Sequence, residues 1–82
     1  VPTRGVPAAM RLLIVEDDVA LRQSLAGSLR ASGFTVDEAG TAAEAEYFAG
    51  EYAVQLAIVD LGLPDRSGVD LVRRLRAAGR RF

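Results

Sequence analysis

Hydrophobic and polar positions divide this chain into two kinds of segment. Short unbroken apolar runs, Arg11-Leu12-Leu13-Ile14-Val15 and Gln55-Leu56-Ala57-Ile58-Val59, end abruptly in acids: Glu16-Asp17-Asp18 after the first, Asp60 after the second. Runs of this length, rich in branched residues, predict strands buried on both faces of a parallel sheet. From Val19 to Ser32, Leu21, Leu25 and Leu29 recur at every fourth place, with Arg22, Gln23, Ser28 and Arg30 elsewhere. That spacing predicts an amphipathic helix, with Asp18 as its N-cap and Gly33 in the left-handed position after its last turn. Phe34-Thr35-Val36-Asp37-Glu38-Ala39 alternates and predicts a half-exposed edge strand, with Phe34, Val36 and Glu38 on one face. Thr41 and Glu44 form a capping box that opens a second helix carrying Ala45, Phe48 and Ala49 and ending near Gly50. Ser67, with Asp70 three places on, opens a third, with Val69, Val72, Leu75 and Arg76 at helical spacing and Gly79 at its close.

The resulting order, β-α-β-α-β-α with short connections, predicts an α/β fold with a parallel sheet and right-handed crossovers. Sites in such sheets form beyond the carboxyl ends of the strands, where the winding reverses. With strand order 2-1-3, that reversal lies between the first and third strands. Glu16 and Asp17 then meet Asp60 in one crevice.

Composition narrows the chemistry. The 82 residues suffice for one small domain, and half of them are hydrophobic. A domain of this size hides only ~60% of its unfolded surface, so its stability is expected to be marginal. Net charge is −1, which gives no bulk attraction to nucleic acid or membrane. Cysteine and histidine are absent and all ten basic residues are arginine. Disulfides, thiolate metal sites and the usual general base are thereby excluded. No apolar run reaches the ~20 residues of a membrane span. Residues 1–9, with two prolines and no apolar core, are expected to be a flexible leader rather than a signal peptide, with Met10 a natural start for the folded part.

Carboxylates gathered within a few ångström either raise one another's pKa or hold a cation. Without His or Cys the cation is a hard one, and Mg²⁺ takes one or two carboxylates, waters and phosphate oxygens. A carboxylate beside Mg²⁺ is suited to accept a phosphoryl group as an aspartyl phosphate. Taken singly, the same acids have plainer readings. Asp18 is an N-cap, Glu16 and Asp17 are partners of a helix dipole, and Asp60 and Asp65 are turn residues.

Leu13-Ile14-Val15-Glu16-Asp17-Asp18, Leu21-Arg22, Ala31-Ser32-Gly33-Phe34-Thr35-Val36 and Ala57-Ile58-Val59-Asp60-Leu61-Gly62-Leu63-Pro64-Asp65 with Gly68 resemble the receiver domain of bacterial response regulators, most closely the class with a winged-helix DNA-binding output domain. The resemblance runs from about Arg11 to Phe82. It implies a three-layer, flavodoxin-like fold in which Asp60 is the phosphoacceptor. Glu16, Asp17, Asp60 and the main-chain carbonyl of Gly62 would hold Mg²⁺, and the donor would be a phosphohistidine of a sensor histidine kinase. It also implies a cytoplasmic signalling module with no independent enzymatic turnover.

The family fold has five strands in the order 2-1-3-4-5, so residues 10–82 are expected to be the N-terminal part of a receiver domain, truncated after the third helix. The Thr or Ser and the Lys of the later strands are then outside this sequence. A third strand at the sheet edge is expected to promote self-association. Three competing functions follow. One is a non-signalling fragment or pseudo-receiver acting only through protein association. Another is a Mg²⁺-dependent phosphatase, which would want a second Asp where Gly62 stands. The last is DNA binding through Arg73, Arg74, Arg76, Arg80 and Arg81, which read more simply as a solvated basic face.

Overall fold

The computed structural model describes residues 10–79, so the leader expected over residues 1–9 and the terminal Arg80-Arg81-Phe82 lie outside the described residues. The elements are β1 (Arg11–Val15), α1 (Val19–Ala31), β2 (Thr35–Ala39), α2 (Ala42–Glu51), β3 (Leu56–Val59) and α3 (Gly68–Ala77). The sheet is parallel with order β2-β1-β3, as the sequence predicts. Register pairs Val15 with Ala39 on one side and with Val59 on the other. All three strands therefore end at one level.

The predicted caps form. Asp18 accepts the Leu21 N–H at 3.0 Å, Thr41 accepts that of Glu44 at 3.1 Å, and Ser67 accepts that of Asp70 at 3.1 Å. Each satisfies an N–H that the first helical turn leaves without a partner. Glu44 reaches back to the N–H of Gly40 at 3.0 Å. Gly33 takes φ of +100°, which lets the chain leave α1 and enter β2 directly.

The core has two halves, because β1 sends alternate side chains to opposite faces. Leu13 and Val15 join Ala39, Ala42, Ala45, Ala49, Leu71 and Leu75 under α2 and α3. Leu12 and Ile14 join Ala26 and Val36 under α1. Both faces of β1 are covered, so its unbroken apolar run is explained.

Three expectations need correction. The stretch at Gln55–Val59 is not a second fully buried strand: it spans Leu56–Val59, and Leu56 and Ile58 are 42% and 40% exposed. They pair in register with Leu12 and Ile14, but α1 lies over β1 and β2 and leaves that face of β3 open. In α1 the fully buried position is Ala26, whereas Leu21 is exposed. In α3 the buried positions are Leu71 and Leu75, whereas Val69 faces outward. α2 ends at Glu51, beside the stop expected near Gly50. No helix among the described residues is long and apolar enough to cross a membrane.

Candidate metal centre

Strand pairing builds the site. The Asp60 N–H donates to the Val15 carbonyl at 2.8 Å, and the Glu16 N–H donates to that of Ala39 at 2.9 Å. These bonds carry both ladders one residue past the strands. Glu16 and Asp60 therefore leave the sheet at the same height on neighbouring strands. One carboxylate oxygen from each of Glu16, Asp17 and Asp60 lies within 4.8 Å of the others. All three acids singled out by the sequence are brought together.

None of the three forms an ion pair among the described residues. The Asp18 N–H donates to Glu16 at 3.0 Å and by itself holds the Glu16 carboxyl down. Desolvation, the hydrogen bond with Asp17 and the charges of Asp60 and Asp17 outweigh it, and the Glu16 pKa ends above its ordinary value. Repulsion of this kind is what a bound divalent cation removes. The donor set, three carboxylates with no nitrogen or sulfur ligand, fits Mg²⁺.

Asp60 is held on both sides. Its carboxylate accepts the Gly62 N–H at 3.3 Å, and the chain returns through a bridge between Gly62 and Ser67. The Gly68 N–H donates to the Leu61 carbonyl at 2.9 Å. A Cβ on Gly68 would stand 2.3 Å from the Asp60 carbonyl oxygen, so the start of α3 packs directly on the backbone of Asp60. Sequence reasoning marked Gly68 only through the family resemblance; its physical reason is this close approach.

Arg22 and Asp65 carry roles that sequence reasoning missed. Arg22, on α1, donates from Nη1 to the Glu16 carbonyl at 2.9 Å and from Nε to Glu38 at 3.3 Å. It had the look of a solvated helix residue, and only the fold brings it under the acidic loop. Asp65, expected to be a plain turn residue, accepts the Ala42 N–H at 2.8 Å and the Ala43 N–H at 3.1 Å. Chiefly the Ala42 N–H holds its carboxyl below the usual carboxylate range, aided by those of Ala43 and Asp65 itself and by Arg66, against desolvation. Its partners lie 23 and 22 residues earlier, beyond any local signal. Asp18 remains a cap. Arg74 is paired with Glu46 and Arg73 lies 3.8 Å from Asp70, so two of the three arginines of α3 face a carboxylate.

Comparison with known proteins agrees with this fold. The family model described as "Response regulator receiver domain" matches residues 12–81. The virulence transcriptional regulatory protein PhoP of Salmonella typhimurium is 49% identical over 69 residues, which is 84% of this chain and 31% of that protein. The chain thus spans about a third of the length of the curated relatives it matches. Among solved structures, the non-phosphorylated HemR receiver domain of Leptospira biflexa is 37% identical, with a TM-score of 0.78 over 83% of this chain and 55% of that one. The response regulator TrrA of Thermotoga maritima, solved in complex with Mg(2+)-BeF, is 28% identical, with a TM-score of 0.80 over 84% of this chain and 60% of that one. The chain belongs to the response regulator receiver domain family.

Proposed function

We propose that Asp60 accepts a phosphoryl group from a phosphohistidine of a sensor histidine kinase, with Mg²⁺ held by Glu16, Asp17, Asp60 and the Gly62 carbonyl. The observation that carries this reading is the convergence of three carboxylates, with no ion-pair partner among the described residues, at the ends of β1 and β3. The complex of the similar TrrA protein with Mg(2+)-BeF supports it. Residues 10–82 then form the N-terminal part of the receiver domain, and the module belongs to the cytoplasm.

In the reaction an Asp60 Oδ lone pair attacks phosphorus while the P–N bond to the donor imidazole breaks. The bonding pair leaves on nitrogen, which takes a proton. Bound Mg²⁺ would offset the negative charge gathered on the transferring oxygens. The chain's own contribution is positional. The Val15 carbonyl and the packing of Gly68 fix the Asp60 backbone, and the Gly62 N–H orients its carboxylate. With one group transferred onto its own side chain, the module has no independent turnover. Incubating the intact protein with acetyl phosphate and Mg²⁺ should add one hydroxylamine-labile phosphoryl group, and Asp60→Asn should abolish it. No labelling of the native protein would favour the alternative, a segment acting only through protein association.

For the 82 residues taken alone, the partners of this reading include a second copy of the chain. The outer edge of β3 pairs with no strand among the described residues, and Leu56 and Ile58 lie exposed beside it. Such an edge favours strand addition. Gel filtration of the 82-residue chain should show concentration-dependent association; a sharp monomer at every concentration rules this out.

A further inference from the structure

The acidic site has two walls. One is Glu16 and Asp17 after β1, and the other is Asp60 with the loop that follows β3. Both are tied to the same junction, the turn from β2 into α2. Glu16 is tied through its N–H, which donates to the Ala39 carbonyl at 2.9 Å. The loop is tied through Asp65, whose two carboxylate oxygens accept the N–H groups of Ala42 and Ala43. A closed ring of chain segments joined by hydrogen bonds therefore runs from Asp60 along the loop to Asp65, across to residues 42 and 43, back along the chain to Ala39, across to Glu16, and returns to Asp60 through the Val15 carbonyl.

The first turn of α2 leaves Ala42, Ala43 and Glu44 without helical acceptors. Thr41 satisfies only the Glu44 N–H. The cap on Ala42 and Ala43 is supplied from outside, at the N-terminal end of a helix dipole where a carboxylate is favoured. Asp65 is itself exposed, yet its neighbour Leu63 is buried in the core with Ala42 and Ala45. The loop is thus pinned between a buried side chain and a charged one.

We infer that Asp65 is a positioning residue for the acidic site: by docking the loop after Asp60 onto the start of α2, it sets the distance between the Asp60–Gly62 wall and the Glu16–Asp17 wall. This rests on the reading of the site as a Mg²⁺ centre only for its consequence; the tether itself exists without metal. Groups that orient the ligands of a metal alter its affinity without touching it, typically by ~10-fold or more.

The test uses the intact protein with Asp65→Ala, Asp65→Asn and Thr41→Ala. Without metal, amide hydrogen exchange at Gly62 and Gly68, whose N–H groups bond Asp60 and the Leu61 carbonyl, should quicken in Asp65→Ala, and less in Asp65→Asn, whose single amide oxygen replaces two acceptors. Mg²⁺ affinity, read from the shift of the Gly62 amide resonance, should weaken on the order of 10-fold in Asp65→Ala. Thr41→Ala removes a cap from the same helix turn without touching the loop. It should lower stability while leaving Mg²⁺ affinity and exchange at Gly62 and Gly68 as in the native protein. Unchanged exchange in Asp65→Ala overturns the inference, and so does a Thr41→Ala variant that reproduces both effects, since Asp65 would then act only as a helix cap. If the native protein takes no Mg²⁺, the proposed function fails, and metal-free exchange alone decides the tether.

Discussion

Asp37, Glu38 and Glu46 lie against arginine, whereas Glu16, Asp17 and Asp60 do not. Arg11 meets Asp37 with two hydrogen bonds, at 2.8 and 3.0 Å. Arg22 and Arg30 close on Glu38 from α1, and Arg66 and Arg74 close on Glu46 at 2.7 and 2.8 Å. The first three acids pin one element to another: strand to strand, α1 to β2, α2 to α3. The other three gather at one end of the sheet and repel. Arg22 shows how sharp the division is, since it passes beneath the acidic loop and binds the Glu16 carbonyl rather than a carboxylate of the site. The same functional group is structural where a guanidinium meets it and available for chemistry where none does.

The largest expected break in this symmetry comes from Mg²⁺. A ligand that binds only the folded state stabilises it by mass action, by about 2.7 kcal/mol at a hundred times its dissociation constant. Urea unfolding of the intact protein should move to higher denaturant as Mg²⁺ is added. Asp17→Asn removes one ligand of the bare set and should shrink that gain, whereas Glu46→Gln should leave it intact. A native protein whose unfolding ignores Mg²⁺ would remove the distinction drawn between the two sets of acids.

How much of this was legible in the sequence follows from the range of the forces involved. The strands, the caps at Asp18, Thr41 and Ser67 and the acids after β1 and β3 are local features, and they stand where the spacing put them to within one residue. Strand order then sufficed to bring Glu16 and Asp17 to Asp60. What the sequence hid depends on which element covers which. Leu56 and Ile58 have the composition of a buried strand, but burial needs a helix over that face, and α1 lies over the other two strands. Leu21 and Leu25 have the same spacing claim to the core, yet only Leu25 packs against it. Asp65 and Arg22 look like solvated residues because their partners belong to other elements.

The smallest effect is also the most direct test, because one chemical change should act with opposite signs. Converting a carboxylate to an amide at Glu46 removes the charge that Arg66 and Arg74 face. The same change at Asp17 removes a charge that faces Glu16 and Asp60 and no ion-pair partner among the described residues. Without Mg²⁺, Glu46→Gln should lower stability and Asp17→Asn should raise it, each by less than ~1 kcal/mol, since these side chains are partly or fully solvated. Acid should erase the first effect. The Arg66 hydrogen bond, then that of Arg74, holds the Glu46 carboxyl below its ordinary value. Its contribution is therefore complete above the unfolded-state pKa and disappears as pH falls through the lower, folded-state value. Unfolding curves of the native protein and Glu46→Gln should separate at neutral pH and converge in acid. Two variants that shift in the same direction at neutral pH would mean that the acids of the site are not repelling one another.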